Sequence, residues 1–177
     1  MPSRSSTSLL QPTLVLHDCI LKLTPEILES HGLKGLVLDV DETLVPRRVR
    51  DVSPELLQWL AEIKGVVSLW LVSNNLSRAR IGRIAQSLDI PYILGARKPS
   101  RRKIRQAVNA MELPFNQVAM VGDRLFTDIL AGNRLGMFTI LVEPMIDPTI
   151  EAVQSAPLRS LEVWLSQILG ASLKSKE

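Results

Sequence analysis

The sequence predicts an α/β protein, a doubly wound three-layer sandwich around a mostly parallel sheet. Three observations predict it. Short apolar runs alternate with segments of helical character from Thr24 to Val142. The runs are rich in Val, Leu and Ile and lack clean polar alternation, which marks strands covered on both faces. The segments between them open on helix-start residues, so each strand is followed by a crossover that brings the chain back in parallel.

The elements follow in order. A lead-in over 1–32 is Ser-rich at its start, and its apolar stretch is cut by Gln11 and Pro12, too short for a secretory signal. Thr24-Pro25-Glu26 sets a hydroxyl before a proline at the first helical position. The run Gly35 to Val40 is the first predicted strand. Ser53-Pro54-Glu55 repeats the start signal, and Val66 to Val72 is the second strand. Ser77 is the cap candidate for a helix of about ten residues, Ile90 to Leu94 the third strand, and Ser100 the cap candidate for a similar helix. Gln117 to Val121 and Met137 to Val142 complete the set. Beyond them Leu158, Leu161, Leu165, Ile168 and Leu169 fall at helical spacing beside Trp164, which predicts a closing helix packed on the sheet, with a membrane-surface or partner helix as the alternative. One domain is therefore expected over 33–170, with the 1–32 lead-in packed on it and a loose tail over 171–177.

Composition narrows the classes of function. Hydrophobic residues at 46% and charged residues at 22% exclude a disordered or collagen-like chain. The single cysteine, Cys19, excludes an intrachain disulfide and suits a reducing compartment. No apolar run approaches the roughly 20 residues that cross a bilayer, so the expected location is cytoplasmic, with any membrane contact peripheral. A net charge of +3 is too mild for a nucleic-acid tail, and no nucleic-acid partner is expected. Basic residues still cluster at Arg47, Arg48 and Arg50, and again at Arg97, Lys98, Arg101, Arg102, Lys103 and Arg105. They read as solvated surface or as an electropositive face toward an anionic partner. His17-Asp18-Cys19 has metal-ligating side chains but no second cluster to complete a site.

In open α/β sheets, ligands bind beyond the carboxyl ends of the strands, so the chemistry is read from what each run ends in. The first ends in Asp39-Val40-Asp41-Glu42-Thr43, the second in Ser73-Asn74-Asn75. The segment after the third reaches Arg97-Lys98-Pro99, and the fourth ends in Gly122-Asp123 and continues to Asp128. Carboxylates, a hydroxyl, amides and a lysine thus converge on one edge. Asp39 and Asp41, two apart on extended backbone, are expected to project to one side. Two adjacent carboxylates raise each other's pKa unless a cation joins them. With Asp123 they make an oxygen-rich pocket suited to Mg²⁺.

These residues resemble the four motifs of the haloacid dehalogenase (HAD) superfamily: DxDxT at Asp39 to Thr43, Ser73, Lys98, and GDxxxxD from Gly122 to Asp128. The segments LVSNN, ARKPS and GDRLFTDI are most similar to the subfamily IIIA phosphatases of the YqeG type, a group similar to phosphatidylglycerophosphate phosphatases. Glu42 departs from that group, where Asn is more usual. The resemblance implies a HAD-like Rossmannoid fold and a phosphomonoester hydrolase. Asp39 would be the nucleophile and Asp41 the general acid and base. Mg²⁺ would lie on Asp39, the backbone carbonyl of Asp41, and Asp123. Ser73 and backbone N–H groups near Asn74 would hold the phosphoryl oxygens, with Lys98 stabilising their charge. Asp128 would orient Lys98 or a metal-bound water, or else it complements a helix dipole.

Substrate size is the remaining clue. From Asp39 to Ser73 is 34 positions and from Ser73 to Lys98 is 25, each used by one helix and one strand, so no cap domain fits. An uncapped site cannot enclose a small metabolite, unless oligomerisation supplies a lid, but it admits a phosphate presented on something large. An anionic phospholipid headgroup, phosphatidylglycerophosphate, is the expected substrate. A soluble nucleotide, sugar or protein phosphate and a non-catalytic regulatory module are the alternatives.

Overall fold

The computed structural model describes residues 9–145. The expected closing helix and tail lie outside the described residues. Six strands form one sheet: β1 (Leu14–Val15), β2 (Gly35–Leu38), β3 (Ser68–Val72), β4 (Tyr92–Ile93), β5 (Val118–Gly122) and β6 (Phe138–Leu141). Their spatial order is β1-β6-β5-β2-β3-β4, and every pairing is parallel. From β2 the chain winds outward through β3 and β4. It then returns to the other side of β2 for β5 and β6. The switch point therefore lies between β2 and β5, where a parallel sheet opens a crevice at its carboxyl edge.

Five helices cover the sheet: α1 (Pro25–Ser30), α2 (Pro54–Ile63), α3 (Arg78–Leu88), α4 (Arg102–Ala110) and the single-turn α5 (Leu130–Asn133). The core has two halves because alternate strand residues face opposite ways. Leu36, Leu38, Leu71 and Val121 pack with Leu56, Leu60 and Ile63 of α2 and Ile81 and Ile84 of α3. Val37, Val72 and Met120 pack on the other face with Ile104, Ala107 and Val108 of α4. Each fully buried Leu or Ile contributes about 1.5–3 kcal/mol, so both faces hold β2 at the centre. The register carries this to the site. Leu38 stands opposite Leu71 and Val121, so β2, β3 and β5 leave the sheet at nearly one level.

All five expected strands form, each within a residue or two of its apolar run. The sixth, β1, is a half-buried pair of residues on the edge beside β6. The lead-in also supplies Leu10, Ile20, Leu23 and Leu28 to the buried interior. The helix starts divide. Ser53 Oγ accepts from Leu56 N at 3.2 Å and Ser77 Oγ from Arg80 N at 3.3 Å. Thr24 makes no such bond, and Ser100 is not a cap. Its N–H closes a turn on Arg97 O at 2.9 Å, and α4 begins after Arg101, whose backbone is already helical.

Candidate active site

The ends of β2, β3 and β5, with the segment after β4 that carries Lys98, deliver the site. β2 releases Asp39, whose N–H still bonds Val121 O of β5 at 3.0 Å. β3 releases Ser73, tied to the next loop through its own N–H on Ile93 O and its carbonyl under Ala96 N. β5 ends at Gly122, followed by Asp123 and a π-helical turn over Leu125–Ile129 that turns Asp128 back toward the strand end. Such wide turns inside helices recur at functional sites because they re-aim one side chain.

At the centre is Lys98. Its Nζ lies 2.6 Å from Asp39 Oδ1 and 2.6 Å from Asp128 Oδ1. The Lys98 and Asp128 side chains are each 1% exposed. Burial alone would lower the lysine's pKa. The carboxylates of Asp128 and Asp39 outweigh it and hold the ammonium above its usual value. Asp39 is pushed up to about 6, first by burial and then by Asp128, against the pull of Lys98. Asp123 is pushed up to about 8 by burial, then by Asp128, Asp39 and Glu42. Thr43 Oγ1 donates to Asp123 Oδ1 at 3.4 Å.

Three buried carboxylates face one ammonium, which leaves an excess of negative charge. Asp39, Asp123 and Asp128 each offer an oxygen within 4.8 Å of the others. Asp128 Oδ2 is buried with no hydrogen-bond partner among the described residues. An all-oxygen donor set with surplus charge and an unsatisfied oxygen fits a hard divalent cation, not a nitrogen- or sulfur-preferring one.

The structure brings Asp39, Lys98, Asp123 and Asp128 together and holds the Asp41 carboxylate outside that cluster. β2 stops at Leu38, so the period-two rule does not carry the Asp39 side to Asp41. The chain instead turns at Glu42, with φ of +68°. The Asp41 carboxylate accepts from Arg80 Nη1 and from Asn75 Nδ2, the latter at 3.1 Å. It is not one of the clustered carboxylates; the cation contact that the resemblance implies is with its backbone carbonyl. Asn74 is also differently employed. Its carboxamide bonds both Lys98 N (2.6 Å) and Lys98 O (3.2 Å), fixing the backbone that carries the lysine. The phosphate contact expected near Asn74 is therefore left to its backbone N–H and not to its side chain. Ser73 Oγ accepts from Asn75 N at 3.0 Å, which leaves the hydroxyl proton to donate.

The sequence does not mark Arg80 as part of the site, nor the reason for a glycine at position 122. Arg80 sits among Arg78 and Arg83 and reads as helix surface. Gly122 reads as the first residue of GDxxxxD, with no sign of why it must be glycine. A Cβ there would run into the Asp128 carboxylate, so the missing side chain is what seats Asp128. Among the described residues His17, Asp18 and Cys19 do not gather as metal ligands, and Asp18 Oδ1 accepts from Cys19 N at 2.7 Å.

A parallel doubly wound sheet whose switch-point crevice gathers carboxylates around a buried lysine defines a haloacid dehalogenase-like hydrolase. The HAD-hydrolase-like family model matches residues 95–144. The chain is 40% identical over 127 residues to "Probable phosphatase YqeG" of Bacillus subtilis, covering 71% of this chain and 73% of that one. It belongs to the YqeG phosphatases within the HAD hydrolases. It is also 33% identical over 127 residues to the chloroplastic phosphatidylglycerophosphate phosphatase 1 of Chlamydomonas reinhardtii. That match covers 67% of this chain but only 47% of the algal protein. A haloacid dehalogenase-like hydrolase from Streptococcus pneumoniae shares the fold, with a TM-score of 0.51 at 13% identity over 75% of this chain and 99% of that one.

Proposed function

We propose that the protein hydrolyses phosphomonoesters with Mg²⁺ through an aspartyl phosphate, and that its substrate is phosphatidylglycerophosphate, converted to phosphatidylglycerol. The observation that carries the chemistry is the double ion pair of Lys98 with Asp39 and Asp128 beside Asp123. An Asp39 oxygen attacks phosphorus in line, the ester bond breaks, and Asp41 gives its proton to the leaving oxygen. Asp41, now a carboxylate, takes a proton from the water that attacks the aspartyl phosphate, which frees inorganic phosphate and restores Asp39. Lys98 lies where it can neutralise a phosphoryl oxygen, and Ser73 donates its hydroxyl proton to another. A bound Mg²⁺ on Asp39, Asp123 and the Asp41 carbonyl would offset phosphate charge so that a carboxylate can attack an anion. Asp128 holds Lys98 in place.

Three features support the lipid. The algal relative carries that activity in its name. Among the described residues only α2 and β3 fill the stretch from Asp39 to Ser73, and only α3 and β4 the stretch to Lys98, so no cap narrows the entrance. The rim is basic, with Arg47, Arg48, Arg50, Arg78 and Arg97 exposed. Leu76 stands out among them at 79% exposure. Clustered basic residues gain roughly 1 kcal/mol each near an anionic bilayer. These features support a peripheral membrane partner for the site.

The test compares phosphate release from phosphatidylglycerophosphate in anionic vesicles with release from nucleotide, sugar and peptide phosphates, all with Mg²⁺. Faster turnover of the lipid is expected. Faster turnover of a soluble phosphate overturns the lipid assignment and leaves the chemistry standing. No release from any substrate favours a non-catalytic module.

A further inference from the structure

The Asp41 carboxylate is held by a residue outside the motifs. Arg80 lies in the first turns of α3, and its side chain is 11% exposed. All three guanidinium nitrogens are used. Nη1 donates to Asp41 Oδ1, Nε to Val49 O at 3.0 Å and Nη2 to Pro46 O at 3.1 Å. The other oxygen of Asp41 accepts from Asn75 Nδ2, and Asn75 N in turn bonds Ser73 Oγ. Both oxygens of Asp41 are therefore set by the segment that follows β3.

A surface arginine keeps its rotamer freedom and its hydration, and ordering it costs up to about 2 kcal/mol. Arg80 has given up both to grip one carboxylate and two carbonyls. Lysine cannot reproduce this grip, because its single ammonium lacks the planar fork that reaches three acceptors in fixed directions. The carbonyls belong to the loop carrying Arg47, Arg48 and Arg50, so one side chain joins Asp41 to that basic rim. A purely structural tie between α3 and the loop would need only the carbonyl bonds.

We propose that Arg80 is a positioning residue for Asp41, fixing the orientation of its carboxyl group so that, when protonated, it gives its proton to the leaving oxygen. This rests on the reading of Asp41 as the general acid. A general acid matters in proportion to how poorly the leaving group departs, and it supplies about 10²–10⁴-fold when well placed.

The experiment is single-turnover release of the leaving group, with enzyme in excess and Mg²⁺ present, from p-nitrophenyl phosphate and from a simple alkyl phosphate. Arg80→Ala, Arg80→Lys, Asp41→Asn and the Asp41→Asn/Arg80→Ala double variant are compared, with Tm measured on each. Arg80→Ala is expected to slow alkyl release about 10–100-fold and p-nitrophenol release less than about 3-fold. Arg80→Lys, which keeps the charge if the alanine variant folds poorly, should show the same split at smaller amplitude. The double variant should be no slower than Asp41→Asn, and a few millimolar guanidinium should partly restore Arg80→Ala. Equal losses on both substrates, or losses that multiply in the double variant, overturn the proposal. If Asp41→Asn discriminates between leaving groups and the Arg80 variants do not, only the role of Arg80 falls. If Asp41→Asn does not discriminate, the acid role of Asp41 falls and the proposal with it.

Discussion

The Asp128 carboxylate occupies the space where a side chain on Gly122 would begin. Gly122 closes β5 and Asp128 comes back to it across the π-helical turn, so backbone and carboxylate are in direct contact. Gly122→Ala must therefore push Asp128 off Lys98. Overpacking a buried site costs about 1–3 kcal/mol, and the displaced carboxylate should also lower activity at least tenfold. In a double-mutant cycle, adding Asp128→Ala makes room for the new methyl. Thermal melts should show the double variant losing less stability than the two single losses added together. Additive losses would mean that the contact carries no energy.

The carboxylates predict how stability depends on pH and on metal. Asp39 and Asp123 both titrate above the ordinary range, at about 6 and about 8, chiefly because they are buried. A carboxyl whose pKa is raised by folding favours the folded state while protonated. Its contribution is complete below the unfolded value near 4 and is lost as pH rises through the folded value. Metal-free protein should thus melt lower at pH 8.5 than at pH 5.5, and Asp123→Asn should flatten that fall. Mg²⁺ competes with these protons, so its stabilisation should be larger at pH 8.5. At a hundredfold excess over Kd it amounts to about 2.7 kcal/mol, or roughly 5–10 °C. Melting curves with Mg²⁺ and with a chelator at both pH values are the measurement. Equal Mg²⁺ shifts at the two values would count against a cation among these oxygens.

Asp39→Asn separates chemistry from folding. The amide keeps the shape and an oxygen for Lys98, but it removes the attacking carboxylate and one negative charge from a pocket that has a surplus. Phosphate release should fall roughly 10³-fold or more, while the metal-free Tm stays level or rises. A retained rate would remove Asp39 as nucleophile. A large drop in Tm would make it a structural residue.

What could be read from the sequence was whatever is written along one stretch of chain. β2, β3 and β5 were visible because strands buried on both faces must be continuously apolar, and the groups at their ends follow from the parallel topology. β1 was not, since Leu14 and Val15 pair on one edge only and leave too short a run to show. Ser100 misled because its N–H serves a turn, a use of the serine backbone that leaves no trace in the residue type. The place of Asp41 depended on where β2 ends and on an arginine 39 positions away, a contact of tertiary origin. Asp128 reads equally as a partner of Lys98, of a metal-bound water or of a helix dipole, and only the turn before α5 aims it at Lys98.

Glu42 supplies the last prediction. It stands in the left-handed region at φ +68°, where the chain turns after Asp41. An L-residue with a long side chain is strained there, whereas asparagine enters the region more readily because its short carboxamide bonds the local backbone. That is a physical reason for the asparagine that the resemblance leads one to expect here. Glu42 offsets the strain only weakly through an exposed ion pair with Arg47 at 3.4 Å, worth about 0–1 kcal/mol. It also adds negative charge beside Asp123. Glu42→Asn should therefore stabilise the metal-free protein by up to about 1 kcal/mol, roughly 2–4 °C in Tm, with turnover of a soluble phosphomonoester retained. Because removing the charge also relieves Asp123, Glu42→Gln is the control. It removes the charge and keeps the strain, so the part of the gain seen with asparagine and absent with glutamine measures the backbone. Equal gains in the two variants would assign the whole effect to charge.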